Sequence, residues 1–247
     1  MKTINIFGLD VASLTLEETI TEIEKYIIQK RKVQHVVINA SKVVMMKKDL
    51  QLKAIIKSCP IINADGQSIV WAARFLGKRL PERVTGIDIM ERLISESSKK
   101  SYKLYFFGAK QNVVKRLVEH YTELYPNIEI VGYRNGYFKE SEELEIVNEI
   151  NKSGADILFL GFSSPKKEYW LAKYNEHLDI PFRMGVGGSF DVITGVTKRA
   201  PIWMQKAGLE WFYRFLQEPK RMFKRYLFGN ILFIVYTIME KFKKETV

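Results

Sequence analysis

The 247-residue chain contains one cysteine, Cys59, and three histidines, His35, His120 and His177. A single thiol excludes a disulfide framework and a multi-cysteine zinc site, and it fits a reducing cytosol. The histidines stand far apart without ligand-like spacing, so each reads as a surface or packing residue. Neither a Gly-x-x-x-x-Gly-Lys-Ser/Thr phosphate loop nor a His-Glu-x-x-His pair occurs, and the aspartates never form Asp-x-Asp, a common device for holding a divalent cation on a diphosphate. No metal and no cofactor is expected, and a diphosphate at this protein must be met by its own cations. Long hydrophobic runs are missing as well. Met1 to Gly8 lack the apolar stretch and small-residue site that a signal peptidase needs, so export is not expected. The most apolar run, 226–239, has fourteen residues; as a helix it would reach about 21 Å against roughly 30 Å of hydrocarbon, too short to span.

What is present suits a folded domain. With 47% hydrophobic and 13% aromatic residues the chain can bury a substantial core. Lys and Arg number 39 against 28 acids, a net charge of +11. That charge is uneven: residues 198–247 hold eleven basic and four acidic residues, a net of +7, and the preceding 197 residues hold the remaining +4. A basic end on a nearly balanced body points to an anionic partner, whether nucleic acid, acidic lipid or a phosphorylated substrate, or else to a solvated face.

Runs rich in Val, Ile, Phe and Tyr at 33–38, 60–63, 102–107, 128–131, 156–161 and 182–186 read as strands. Helical patterns at 15–29, 41–58, 67–76, 87–98, 111–125, 141–152 and 166–176 alternate with them, with Ser13 or Thr15 and Ser141 as caps. Apolar strands alternating with helices predict an α/β fold, a Rossmann-like parallel sheet with helices on both faces. After Pro201 the chain reads as helix, interrupted near Pro219, which suits a helix start. We therefore expect a body over 1–197 and a basic, amphipathic helical appendage over 198–247. In the appendage Trp203, Trp211, Phe212, Tyr213, Phe215, Phe223, Tyr226 and Phe228 interleave with Arg214, Arg221, Lys224 and Arg225. Such a segment can lie in a bilayer interface or pack on the core as an ordinary helix.

Four strand ends carry candidate residues where open α/β sheets build their sites. Asp65-Gly66 follows the strand at 60–63; a carboxylate there can take a proton from an attacking hydroxyl, and Asp-Gly is equally a common turn. Asn39 opens onto the same edge, as does Gly161 to Glu168. Gly185-Val186-Gly187-Gly188-Ser189 lets backbone amides approach a phosphate or serves as a tight turn. It lacks the full dinucleotide fingerprint, and the acid at the expected distance, Glu210, falls in the helical tail, which disfavours NAD.

Taken together, Val37-Ile38-Asn39-Ala40, Ala64-Asp65-Gly66, Arg83-Val84-Thr85-Gly86-Ile87-Asp88, Gly161 to Glu168 and Gly185 to Asp191 resemble, in order, the motifs of the WecG/TagA/CpsF glycosyltransferases. Lys198-Arg199-Ala200-Pro201 and the stretch from Gly208 to Arg221 extend the likeness over nearly the whole chain. The resemblance implies a metal-independent, inverting transfer of a sugar from a UDP donor to an undecaprenyl-diphosphate-linked sugar, on the inner face of the bacterial membrane. N-acetylmannosamine moving to N-acetylglucosamine is the implied reaction, with another UDP-hexose or a uronic acid as the alternative donor. It further implies a peripheral cytoplasmic location on an anionic membrane surface and a role in cell-wall or surface polysaccharide synthesis. Nucleic acid is then not a partner, and self-association is left open. Asp65 matches the base, Asn39 and Arg83 match polar positions of the active site, and Gly161, Lys167, Gly185, Gly187, Gly188 and Asp191 fall where the donor nucleotide would bind. Arg214, Arg221, Lys224 and Arg225 fall in the tail that meets the lipid diphosphate. Two positions depart from the family pattern: Val37 stands where Thr is frequent and Lys167 where Gln is frequent, and both bear on which sugar is held.

Overall fold

A computed structural model describes residues 1–242, leaving aside the side chains of residues 206 and 220–227. In chain order it contains β1 (Thr3–Ile6), β2 (Leu9–Ala12), α1 (Leu16–Ile28), β3 (Val33–Ile38), α2 (Ala40–Lys48), α3 (Leu50–Lys57), β4 (Ile61–Ala64), α4 (Gln67–Phe75) and α5 (Gly86–Lys100). Then follow β5 (Leu104–Gly108), α6 (Gln111–Leu124), β6 (Ile130–Arg134), α7 (Glu143–Lys152), β7 (Ile157–Gly161), α8 (Lys166–Lys173), β8 (Phe182–Gly185), α9 (Ser189–Ile193), α10 (Ile202–Lys206), α11 (Glu210–Gln217) and α12 (Pro219–Phe242).

Six strands form one parallel sheet in the order β4-β3-β8-β7-β5-β6. The side chains of β5 and β7 alternate between two cores, as the two-residue period of a strand requires. Leu104, Phe106, Ile157 and Phe159 enter a core shared with α1, α5 and α6. Tyr105, Phe107, Leu158 and Leu160 enter the opposite one, with α7 and α8. Both faces are buried, which is why these strands read as continuous apolar runs.

Two departures from the expected elements have local causes. The stretch 41–58 is two helices, because the Asp49 carboxylate accepts the Leu52 N–H at 2.9 Å and caps a new start. The N-terminal residues form an antiparallel hairpin, β1-β2, turned by Phe7 and Gly8, both at positive φ. At α1 the cap is Thr15, in a capping box with Glu18.

Among the described residues the tail forms three successive helices from Ile202 to Phe242, with α12 starting at Pro219. Among the described residues no helix is long and apolar enough to cross a membrane. Instead α12 lies along α2, and Phe233 is buried in the core of the body against the ring of Phe7, 5.6 Å between centroids. The opposite face of α12 is apolar but exposed: Phe228, Ile231, Ile234, Val235, Ile238, Met239 and Phe242 recur at helical spacing. Replacing Phe233 with Ala should destabilise the protein by about 3 kcal/mol or more, from lost burial plus the cavity left beside Phe7. Urea denaturation checks this, and a change below about 1 kcal/mol would show that α12 is not part of the cooperative core.

Candidate active site

Parallel strands deliver their carboxyl ends to one edge, and the candidate residues stand there. Asp65 follows β4 directly, and its N–H donates to the Ile38 carbonyl at 2.8 Å, extending the ladder by one residue. The next turn of chain is pinned alongside, since Val84 N–H donates to the Ala64 carbonyl at 2.9 Å. That bond brings Arg83 to the same strand end. Asn39 ends β3 as the cap of α2, its Oδ1 accepting the Lys42 N–H at 3.0 Å, and Gly66 passes within contact distance of it.

Asp65 is half-buried, and among the described residues no hydrogen bond reaches its carboxylate. Burial raises its pKa to about 6, and the nearby Glu210 adds to the rise, while Arg83, Lys167 and Lys42 oppose it. A base in this range keeps a useful ionised fraction near neutrality while still accepting a proton. Arg83 sits close by, its Nη1 2.7 Å from the Glu210 carboxylate.

Beneath this edge lies a buried ion pair. Lys42 Nζ donates to Glu168 at 2.7 Å, with both side chains almost fully enclosed, and the Ser164 hydroxyl donates to the same oxygen at 3.0 Å. Burial opposes the charged form of Glu168, but Lys42, Lys167 and these hydrogen bonds hold its carboxyl below the ordinary range. Lys167 Nζ donates to the Gly185 carbonyl at 2.8 Å and lies 4.0 Å from Glu168. Its stem fills the space where a side chain at Gly185 would stand. Val37, the other position that departs from the family pattern, is buried against Gly86.

The turn after β8 is tight, with Gly187 at φ +61°, a region that favours glycine. At Gly188 an added Cβ would sit 3.0 Å from an Arg214 nitrogen and 3.9 Å from the Asp191 carboxylate. The tail therefore reaches this turn. Gly161 serves packing, since the ring of Phe190 occupies the place of its missing Cβ. Of the residues singled out in the sequence, Asn39, Asp65, Arg83 and Lys167 gather at the ends of β3, β4 and β8. Gly187, Gly188, Asp191 and Arg214 gather at the adjacent turn. The side chains of Arg221, Lys224 and Arg225 lie outside the described residues. Lys42, Glu168, Arg199 and Glu210 were not singled out as site residues. Their partners are remote in sequence, Lys42 from Glu168 by 126 residues and Arg83 from Glu210 by 127, and no local spacing reveals such pairs. The three histidines play no part: His35 is buried, bonded to Asn63 at 2.9 Å, and the other two are exposed. Among the described residues no group of three or more His, Cys, Asp or Glu could hold a metal ion.

The sequence profile of the Glycosyl transferase WecG/TagA/CpsF family matches residues 4–247. An N-acetylglucosaminyldiphosphoundecaprenol N-acetyl-beta-D-mannosaminyltransferase of Bacillus subtilis (strain 168) is 32% identical over 222 residues, 90% of this chain and 86% of that relative. A protein of the same name from Bacillus spizizenii (strain W23) is 34% identical over 169 residues, 68% of this chain and 65% of that relative.

The raised pKa of Asp65 has a consequence for stability. An acid whose folded pKa lies above its unfolded value favours folding least when both states are ionised. The penalty is absent below about pH 4, grows as pH rises towards 6, and is complete above it. Asp65→Asn should therefore raise the melting temperature at pH 7.5 and leave it unchanged at pH 3.5. An equal effect at both pH values would refute the assignment of strain to the ionised carboxylate.

Proposed function

The chain belongs to the WecG/TagA/CpsF family of glycosyl transferases, and we propose that it moves N-acetylmannosamine from a UDP-sugar to undecaprenyl-diphosphate-linked N-acetylglucosamine, with inversion at the sugar carbon. The observation that carries this reading is the Asp65 carboxylate, half-buried, free of hydrogen bonds among the described residues and facing Arg83, Lys167, Lys42 and Glu210 at the carboxyl edge of the sheet. The relatives' names supply the sugar and the acceptor. In the transfer the acceptor hydroxyl gives its proton to Asp65 as its oxygen bonds to the anomeric carbon. The bond from that carbon to the phosphate oxygen breaks, and its electron pair leaves with UDP. Charge gathers on the departing diphosphate, where guanidinium groups can bind two oxygens at once. Arg83, beside the strand end, and Arg214, at the Gly188 turn, are our candidates for that task, and Arg221, Lys224 and Arg225 belong to the same basic segment as Arg214. With no Asp-x-Asp pair in the chain, these cations stand in for a metal.

The two departures from the family pattern are compatible with this donor. Val37 packs into the core, so its missing hydroxyl is a loss to the interior. Lys167 is buried with its amino group on the Gly185 carbonyl, 4.0 Å from a Glu168 carboxylate that Lys42 holds at 2.7 Å, so it is engaged within the protein. Membership of an enzyme family supports a reading of the basic tail as serving catalysis or membrane contact in preference to nucleic-acid binding.

The exposed face of α12 is apolar, and Ile202, Trp203 and Trp211 of the preceding helices are exposed as well. Lys47 and Lys241 lie over Tyr236 and Phe75 at its margin. This surface is read as the part that lies in the bilayer interface on the cytoplasmic side, where the lipid-linked acceptor is found.

Two experiments test these statements. Incubation with a panel of UDP-sugars and a lipid-diphosphate N-acetylglucosamine acceptor should release UDP with UDP-N-acetylmannosamine above all, with kcat/KM rising through about pH 6. Asp65→Asn should lower turnover by about a thousandfold or more while UDP still binds; near wild-type rates would remove Asp65 as the base. In the second, Phe228→Ser, Ile231→Ser and Ile238→Ser together should abolish cosedimentation with anionic liposomes without loss of the fold. Retained binding would place the membrane contact elsewhere.

A further inference from the structure

One carboxylate at the site has no task in the transfer. Glu210 opens α11, and its two oxygens face arginines from separate parts of the chain: one lies 2.7 Å from Nη1 of Arg83 and the other 3.8 Å from Nε of Arg199. Arg199 is held in turn by Asp88 at 2.6 Å and Glu91 at 3.7 Å, both on α5. Four residues further along α11, on the same helix face, Arg214 reaches the Gly188 turn. Fixing Glu210 to the body therefore fixes where Arg214 points. The turn before α11 is seated too, because Gly208 lies against Gln67 and Trp71 of α4.

Glu210 also acts at Asp65. The charges facing Asp65 are Arg83 beside β4, Lys42 on α2, Lys167 on α8 and Glu210 on α11. Three are cations, and a carboxylate in an uncompensated positive field is a weaker base. Glu210 supplies the compensating charge and does so through the arginine nearest the strand end.

We propose that Glu210 is a positioning residue, clamping Arg83 and Arg199 so that α11 carries Arg214 over the Gly187–Gly188 turn and a negative charge stays beside the base. It does not touch the reacting atoms. The proposal rests on the reading of Asp65 given above, and it is tested in a way that does not depend on turnover. The full-length protein labelled with 13C at aspartate is titrated by NMR, the Asp65 signal being identified by its loss in Asp65→Asn. In Glu210→Gln the Asp65 midpoint should fall by about half a pH unit or more. In the glycosyl-transfer assay the same variant should lose about tenfold or more in kcat, with a smaller change in KM for the UDP-sugar, and Glu210→Asp should recover most of the rate. Arg199→Gln loosens the clamp but keeps the negative charge, so it should lower kcat without lowering the Asp65 midpoint. A folded Glu210→Gln protein with an unchanged Asp65 midpoint overturns the proposal, and so does a loss of melting temperature with kcat intact, which marks a plain structural brace. Should the wild type transfer no sugar at all, the function proposed above fails while the titration still decides the role of Glu210 at Asp65.

Discussion

Six strands running in one direction must end at one edge, and most of what this protein can do follows from that constraint. The inner strands are buried on both faces, so they are largely apolar, with Gln34, His35, Asn63 and Arg183 as buried exceptions, and the candidate polar groups collect where the strands stop. Asn39 and Asp65 are the first residues after β3 and β4, and Gly161 and Gly185 are the last residues of β7 and β8. The backbone sets their spacing through single hydrogen bonds, Asp65 N–H to Ile38 and Val84 N–H to Ala64. These bonds bring an acid and an arginine, 18 positions apart in the chain, to the same corner.

The corner is crowded with charge, and the charges are sorted by depth. Lys42 and Glu168 form the lowest layer, enclosed and mutually neutral. Such a pair contributes little net stability, yet removing one member would strand the other in the interior. It gives the loop after β7 a fixed register, and Lys167 is held over Gly185 as part of that arrangement. Above it Asp65 stays without a hydrogen-bond partner among the described residues. The upper layer, Arg83, Glu210, Arg199 and Asp88, joins the body to the C-terminal helices. Basicity at Asp65 is a balance between layers that no single element contributes alone.

How much of this could be read from the chain follows from how local each cause is. The strand at 33–38 is found at those residues because its three valines and isoleucine announce a buried strand even with Gln34 and His35 among them, and Pro219 marks the start of α12 because proline suits a first helical turn. The hairpin at the N-terminus was not legible: its strands have four residues each, and its turn is Phe-Gly where Asn-Gly would be the familiar signal. The break at Asp49 was hidden because one capping side chain suffices to divide an apolar run. Asp65 was legible as a carboxylate after a strand. Its elevated pKa was not, because that comes first from burial in the folded chain and then from Glu210, which lies more than a hundred residues away in sequence. The helical character of the tail could be read from its pattern. That Phe233 belongs to the core of the body could not, since an apolar residue on a two-sided apolar helix carries no mark of which side faces in.

That two-sidedness gives α12 a phase. Successive residues of a helix are rotated by about 100°, so the residues meeting α2 and those facing outward are separated only by their place in the count. Inserting or deleting one residue near Asn230 would leave composition and charge untouched, yet turn Phe233 away from Phe7 and bring a residue of the outer face inward. The length of this segment is therefore under a stricter constraint than the identity of any one side chain on it. Substitutions among apolar residues can drift on either face, whereas a change in the count would disturb the fold and the outer surface at the same time.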